Sequence, residues 1–346
     1  MIAERAGVHV TTVSLALRNS PNLPAETRGR LQKLARDMGY MPDPALTALQ
    51  AYRRQVTANL PELAIAYICF NPTAAWEDAG RAYYEIYRGC LRRCQELGYH
   101  LELIWVKAHH LSLKRCQNIL NTRNPAGVVF SALHEEGRSR YGIDISRFPA
   151  VRVDQGMVEP HLHTVANNQF QNIKLAIQNA YRLGYRRVGL ATMAVCDEHV
   201  NGFWSGGLWS EQTRRPREDW VQPFLPPDWR PESFFDWFDR ERPEVIITNH
   251  DDDKIPAWLR SRGLRIPGDI GYIQIIGSTD VPTSYAGVVE DNNTVGRTII
   301  DKLVAIIHRN ERGIPSGPEL TLIEGAWRDG DSVRDLRRKS TAAPAP

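Results

Sequence analysis

The stretch "AGVHVTTVSLAL", residues 6–17, decides how the N-terminus is read. Gly7 supplies a turn in a run that otherwise has helical spacing, with Val13, Ala16 and Leu17 on one side of a helix over 11–18. The residues before it, "IAERA" (2–6), have the composition of the end of a short helix. After it, a third helix is expected to start near Pro24, whose fixed φ suits a first turn. Leu31, Leu34, Ala35 and Met38 form its apolar stripe, and Gly39 stops it. The pattern is a helix-turn-helix in which the second helix keeps one face, carrying Val10, Thr11 and Leu15, out of the small core. Methyl and hydroxyl groups on such a face can meet thymine methyls and base edges in a major groove. A generic three-helix bundle fits the same triplet.

Charge separates this segment from the rest. Residues 1–60 carry eight Lys and Arg against four Asp and Glu, a net +4, whereas the remaining chain, 35 against 36, sums to −1. The basic excess therefore sits where contact with phosphate is expected. With 346 residues, 42% hydrophobic and 24% charged, the composition is that of a globular chain of two or three domains. Five cysteines with no C-x-x-C pair indicate neither a disulfide framework nor a zinc site, and suit a reducing cytoplasm. An exported or membrane-bound protein is not expected, because no apolar run reaches spanning length and no signal-peptide pattern is present.

The segment "GYMPDPALTALQAYRR" (39–54) sets Asp43 as an N-cap and Pro44 at a first helical position, ahead of a short helix ending in two arginines. Taken in order with "IAERAGVHVTTVSLALRNSP" and "ETRGRLQKLARDMGYMPDP", it resembles the hinge helix of the LacI family of bacterial transcription regulators. The resemblance implies a homodimer that binds a double-stranded DNA operator. Val10, Thr11, Thr12, Leu15 and Asn19 would face the DNA from the headpiece, and Leu49, Arg53 and Arg54 from the hinge. Leu49 falls where the family wedges a leucine into the minor groove, unstacking a base step.

Beyond about Leu60, short apolar runs alternate with helical patterns. "LAIAYICF", "LELIWV", "AGVVFSA", "AVRVD", "RVGLA", "EVIITN" and "IGYIQIIG" read as strands. Helices are expected over 83–97, 171–183 and 294–309. Continuous apolar strands with helices between them predict parallel sheets covered on both faces. The expected fold is α/β: an all-α helix-turn-helix headpiece over 1–42, a hinge helix and linker over 43–60, and two doubly wound α/β subdomains over 61–330. A tail over 331–346, helical or without order, follows. The body is similar to a periplasmic binding protein, and by that likeness the chain would cross between subdomains near 154, 279 and 319.

Open α/β sheets bind ligands at the carboxyl ends of their strands. Asn71, Tyr83, Asp154, His199, Trp204, Asn249, Thr279 and Asp280 are the residues expected around a small carbohydrate-like effector, with Trp204 as a stacking ring. Asn and Asp at strand ends are also ordinary turn formers, and tryptophan is more often core. Against the family pattern, His199 stands before "VNGF" where an arginine is common, and Thr279 replaces an acidic residue that often contacts effector. Loss of a bidentate cation and of a carboxylate changes which ligand can be held. His9 replaces a serine cap and Leu15 a base-reading arginine. The first helix is about one turn short of the family's. Two readings of that stay open: a start upstream of Met1, or a ligand-binding module with impaired DNA binding.

No phosphate-loop, dinucleotide, nucleophile-elbow or H-E-x-x-H motif occurs, and no cofactor, catalytic group or metal is expected. "HLH" (161–163), His109–His110 and "NHDDD" (249–253) have no partner at metal-binding spacing and read as solvated loops.

Overall fold

A computed structural model describes residues 2–17, 23–38, 63–74, 76, 80–133, 140–156, 158–249, 253–278 and 283–337. The hinge helix and linker expected over 43–60, with Leu49, Arg53 and Arg54, lie outside the described residues. So do Asn19, Thr279 and Asp280.

Three helices form the headpiece: α1 (Ile2–Ala6), α2 (Val10–Leu17) and α3 (Ala25–Asp37). Gly7 takes a left-handed conformation, φ +65, which turns the chain between α1 and α2 without a Cβ penalty. Val13, Ala16, Leu31 and Ala35 are buried together, and Gln32 Nε2 donates to the Ala16 carbonyl at 2.9 Å, tying α3 to the end of α2. The backbone of His9 accepts from Thr12 and Val13, so α2 starts with its first carbonyl satisfied.

The body holds two sheets. The first has the order β10-β5-β4-β3-β1-β2 and is parallel throughout, built from β1 (Leu63–Cys69), β2 (Tyr99–Trp105), β3 (Gly127–Phe130), β4 (Ala150–Val153), β5 (His163–Asn167) and β10 (Leu320–Ile323). The second has the order β11-β9-β8-β7-β6, from β6 (Val188–Ala191), β7 (Val245–Thr248), β8 (Gly271–Ser278), β9 (Ala286–Glu290) and β11 (Ala326–Arg328). Only its edge strand β11 runs antiparallel.

The inner strands of both sheets are buried on both faces, which is why most of them read as continuous apolar runs. Along β1, Ile65, Tyr67 and Cys69 join one core while Ala66, Ile68 and Phe70 join the other. Along the second sheet, Val245, Ile247, Ile273 and Ile275 face one core, and Ile246 and Tyr272 the other. Helices α4 (Arg81–Glu96) and α5 (Leu113–Arg123) cover the first sheet. Helices α6 (Gln169–Arg182), α7 (Ala194–His199), α8 (Phe203–Gln212), α9 (Pro231–Glu241) and α10 (Lys254–Ser261) cover the second. Helix α11 (Asn292–Arg309) returns to pack on α4 and on β3, β4 and β5.

The chain passes between sheets from β5 to α6 at Asn168, from β9 to α11 at Asp291, and from β10 to β11 at 324–325. The crossings expected near 154, 279 and 319 are therefore displaced. Asp154 follows β4 but leads back into β5 of the same sheet, Ser278 ends β8 inside the second sheet, and Glu319 precedes β10 of the first. A turn signal marks where a strand stops, not which sheet the next element joins. The tail expected from 331 also differs: residues 331–337 form no helix and pack on the second subdomain. There Ser332 Oγ donates to the Tyr272 carbonyl at 2.6 Å and Leu336 N to the Leu183 carbonyl at 2.8 Å.

Candidate effector cavity and headpiece surface

The carboxyl ends of the strands in both sheets open on a cavity of about 270 Å3. Tyr83 reaches it from α4, Asp154 from the end of β4, His199 from α7, Trp204 from α8 and Asn249 from the end of β7. Asn71, which follows β1, is buried but does not line this cavity. Its position at a strand end is shared with Asp154 and Asn249; the residues that line the cavity there come from other strands of the sheet.

Asp154 adopts φ +77, an uncommon conformation for a residue with a side chain. Its carboxylate holds itself in that turn. Oδ1 accepts from Gln155 N at 2.7 Å, and Oδ2 accepts from Tyr83 Oη at 3.1 Å. Burial and the nearby Asp154 charge push the Tyr83 phenol well above its usual value, so it stays a donor. Burial lowers the His199 imidazole below its ordinary value, the charges of Asp154 and Glu198 opposing it. Trp204 is 4% exposed and is at once core and cavity wall. Its Nε1 donates to Gln169 Oε1 at 2.9 Å. Asn249 Oδ1 accepts from Thr192 Oγ1 at 2.5 Å, which fixes the amide at the end of β7.

A polar group that the sequence did not single out closes the cavity floor. Glu290, the last residue of β9, is 2% exposed. Its Oε1 accepts from Gln169 Nε2 at 2.8 Å and from Asn172 Nδ2 at 3.0 Å, and its Oε2 accepts from Asn167 Nδ2 at 3.0 Å. Burial nevertheless raises its carboxyl to about 8, with Asp154 and Glu85 adding to the rise against the amide donors. The network continues into the first subdomain. Asn167 Nδ2 also donates to Asn292 Oδ1 at 2.9 Å, Asn292 Nδ2 donates to Glu85 Oε2 at 3.0 Å, and Ser278 Oγ donates to Glu85 Oε1. Asn167, Glu290 and Asn292 flank the crossings at 168 and 291, so the hinge between subdomains is a buried polar one. The available signal was the polar residue that ends each of "HTVAN" and "AGVVE".

On the headpiece, Leu15 is exposed at 39% and Thr12 is half-buried. Both lie on α2 together with Val10 and Thr11, whose side chains are outside what the structure describes. Among the described residues no group of three or more His, Cys, Asp or Glu is placed to hold a metal ion, and no helix is long and apolar enough to cross a membrane.

Comparison with known proteins agrees with this architecture. Residues 2–43 match the model of the bacterial regulatory proteins of the lacI family. The HTH-type transcriptional repressor PurR of Aliivibrio salmonicida is 22% identical over 338 residues, covering 92% of this chain and 96% of PurR. Among solved structures, the lac repressor dimer bound to operator and the anti-inducer ONPF superposes with a TM-score of 0.57 at 17% identity, over 96% of this chain and 98% of that one. A periplasmic binding protein/LacI transcriptional regulator from Alkaliphilus metalliredigens, complexed with D-xylulofuranose, gives 0.58 at 14% identity, over 79% of this chain and 99% of that one.

Proposed function

We propose, from the premise that this chain belongs to the LacI family of bacterial regulatory proteins, that it is a sequence-specific DNA-binding transcriptional regulator, with repression as its mode, controlled by a small polar effector. The observation that carries this reading is the cavity shared by both subdomains at the hinge, on a chain whose residues 2–43 match the bacterial regulatory proteins of the lacI family. A ligand seated there touches Tyr83 and Asp154 on one side and His199, Trp204 and Asn249 on the other. It therefore favours one closure of the two halves over another. In a homodimer, closure changes the separation of the two hinge segments over 43–60, so effector and operator binding are coupled and reciprocal. On the DNA side Val10, Thr11, Thr12, Leu15 and Asn19 meet the major groove, and Leu49, Arg53 and Arg54 the minor groove and backbone. The chain performs no reaction in this reading; the carbohydrate-like effector leaves the cavity unchanged.

The test is fluorescence anisotropy of the full chain on the DNA upstream of its own gene against scrambled DNA, at one stated salt concentration. A clear preference for the upstream segment is expected. Equal affinity for both duplexes ends the regulator reading.

A further inference from the structure

The cavity is rich in acceptors, while its polar side chains direct their donors at the protein itself. Tyr83 Oη is directed at Asp154, Trp204 Nε1 at Gln169, and Asn167 Nδ2 at both Glu290 and Asn292. Acceptors are left over. Asn167 is 8% exposed, and its Oδ1 is buried with no hydrogen-bond partner. The carboxyl groups of Asp154 and Glu290 keep lone pairs beyond those that protein donors occupy. Among the described residues lining the cavity there is no lysine or arginine.

This balance selects among ligand charges. A phosphorylated or carboxylated sugar would bring an anion up to the Asp154 carboxylate, with no lysine or arginine among the described lining residues to offset it, at a heavy desolvation cost. A neutral polyol supplies donors but leaves the Asp154 charge uncompensated. A protonated amine supplies three donors and the missing charge together, and its hydrogen bonds to carboxylate are the strong, charge-assisted kind. The Trp204 and Tyr83 rings are further walls that a cation tolerates well.

Resting on the regulator reading above, we propose that the effector is a small polyhydroxylated amine, of the amino-sugar or iminosugar class. Its ammonium group sits between Asp154 and Glu290 and donates to Asn167 Oδ1.

The full chain is titrated, by thermal shift and calorimetry, with matched sets of pyranoses. Each set holds a neutral sugar, its amino-sugar and iminosugar counterparts, and its uronic acid and 6-phosphate, at a pH where the amine is protonated. The expected result is a cationic member that binds roughly tenfold or more tighter than its neutral parent. In Asp154→Asn that ratio falls toward one, whatever the accompanying change in affinity for the neutral parent. A neighbouring ammonium favours the ionised form of Glu290, which otherwise keeps its proton, so Glu290→Gln also lowers the ratio and serves should Asp154→Asn fail to fold. Neutral or anionic members binding as tightly as the cations overturn the amine and leave the small-effector reading standing. A cation preference that survives both substitutions overturns the placement. Silence from every member of every set overturns both readings.

Discussion

Gly296 on α11 rests directly on Gly89 of α4: a Cβ built on Gly296 would stand 2.9 Å from Gly89 Cα and 2.1 Å from the Ile86 carbonyl oxygen. The reverse is also closed, since a Cβ on Gly89 would lie 2.3 Å from the Asn293 carbonyl oxygen. Glycine is used here for the closeness of two helix backbones, and it is this approach that seats α11 after the crossing at Asp291 back on the first subdomain.

Gly296→Ala is therefore expected to destabilise the chain by about 1–3 kcal/mol through overpacking, since the atoms it meets are backbone and cannot rotate away. Urea unfolding of the body measures it. An unchanged midpoint would show that α4 and α11 separate at no cost. Gly206→Ala, with nothing within 4 Å of its new Cβ, serves as the tolerated control.

Glu290 gives a pH dependence whose sign follows from its burial. In the unfolded chain it ionises near its ordinary 4.5, whereas in the fold it holds its proton up to about 8. The folded form binds more protons across that window, so this group's contribution is full below 4.5 and is lost as pH rises toward 8. Glu290→Gln should flatten the fall of Tm with pH over that interval relative to the parent. An offset of the whole curve reflects the rearranged amide contacts and is not the test; an identical slope in both proteins contradicts the raised carboxyl.

The hinge predictions concern DNA alone. Replacing both Arg53 and Arg54 by alanine should reduce the slope of log affinity against log salt by about 2, because roughly two phosphate contacts disappear. An unaltered slope means that neither arginine is near the backbone.

Leu49→Ala should weaken binding to the preferred duplex by more than tenfold while sparing random DNA, because a wedge acts only in a kinked complex whose cost is of the order of a few kcal/mol. Anisotropy on the two duplexes gives the ratio, and equal losses would place Leu49 in a packing role.

The sequence carries the headpiece almost completely, since Gly7, the Val13–Ala16 spacing and the Leu31–Ala35 stripe are local signals and the elements they specify are local. The same holds for "LAIAYIC" and "EVIIT", where burial on both faces leaves an unbroken apolar run. It fails for β5, "HTVAN", because three of its five residues are polar and all five are buried. His163 is made tolerable by a contact from far along the chain, its Nδ1 accepting from Glu319 N at 3.1 Å. The cavity divides in the same way. Asp154 and Asn249 directly follow strands β4 and β7, a position that local pattern reveals, whereas Tyr83, His199 and Trp204 reach the cavity from helices α4, α7 and α8. Glu290 and Asn167 are 123 residues apart in sequence, and only the crossing of the chain brings them together. For Val10, Thr11, Asn19, Leu49, Arg53, Arg54, Thr279 and Asp280, family likeness is the guide to their roles.

The three crossings at 168, 291 and 324–325 have an evolutionary consequence. Neither half of the body is a contiguous stretch of gene: the first needs 63–167 together with 292–323, and the second needs 169–290 together with 326–337. One recombination event between relatives cannot transplant either half intact. It would pair one parent's β1–β5 with another's α11 and β10, across the Gly89–Gly296 approach. The two walls of the cavity are thus hard to separate by a single exchange, and point substitution within a fixed pair of halves is the shorter route to a new effector preference.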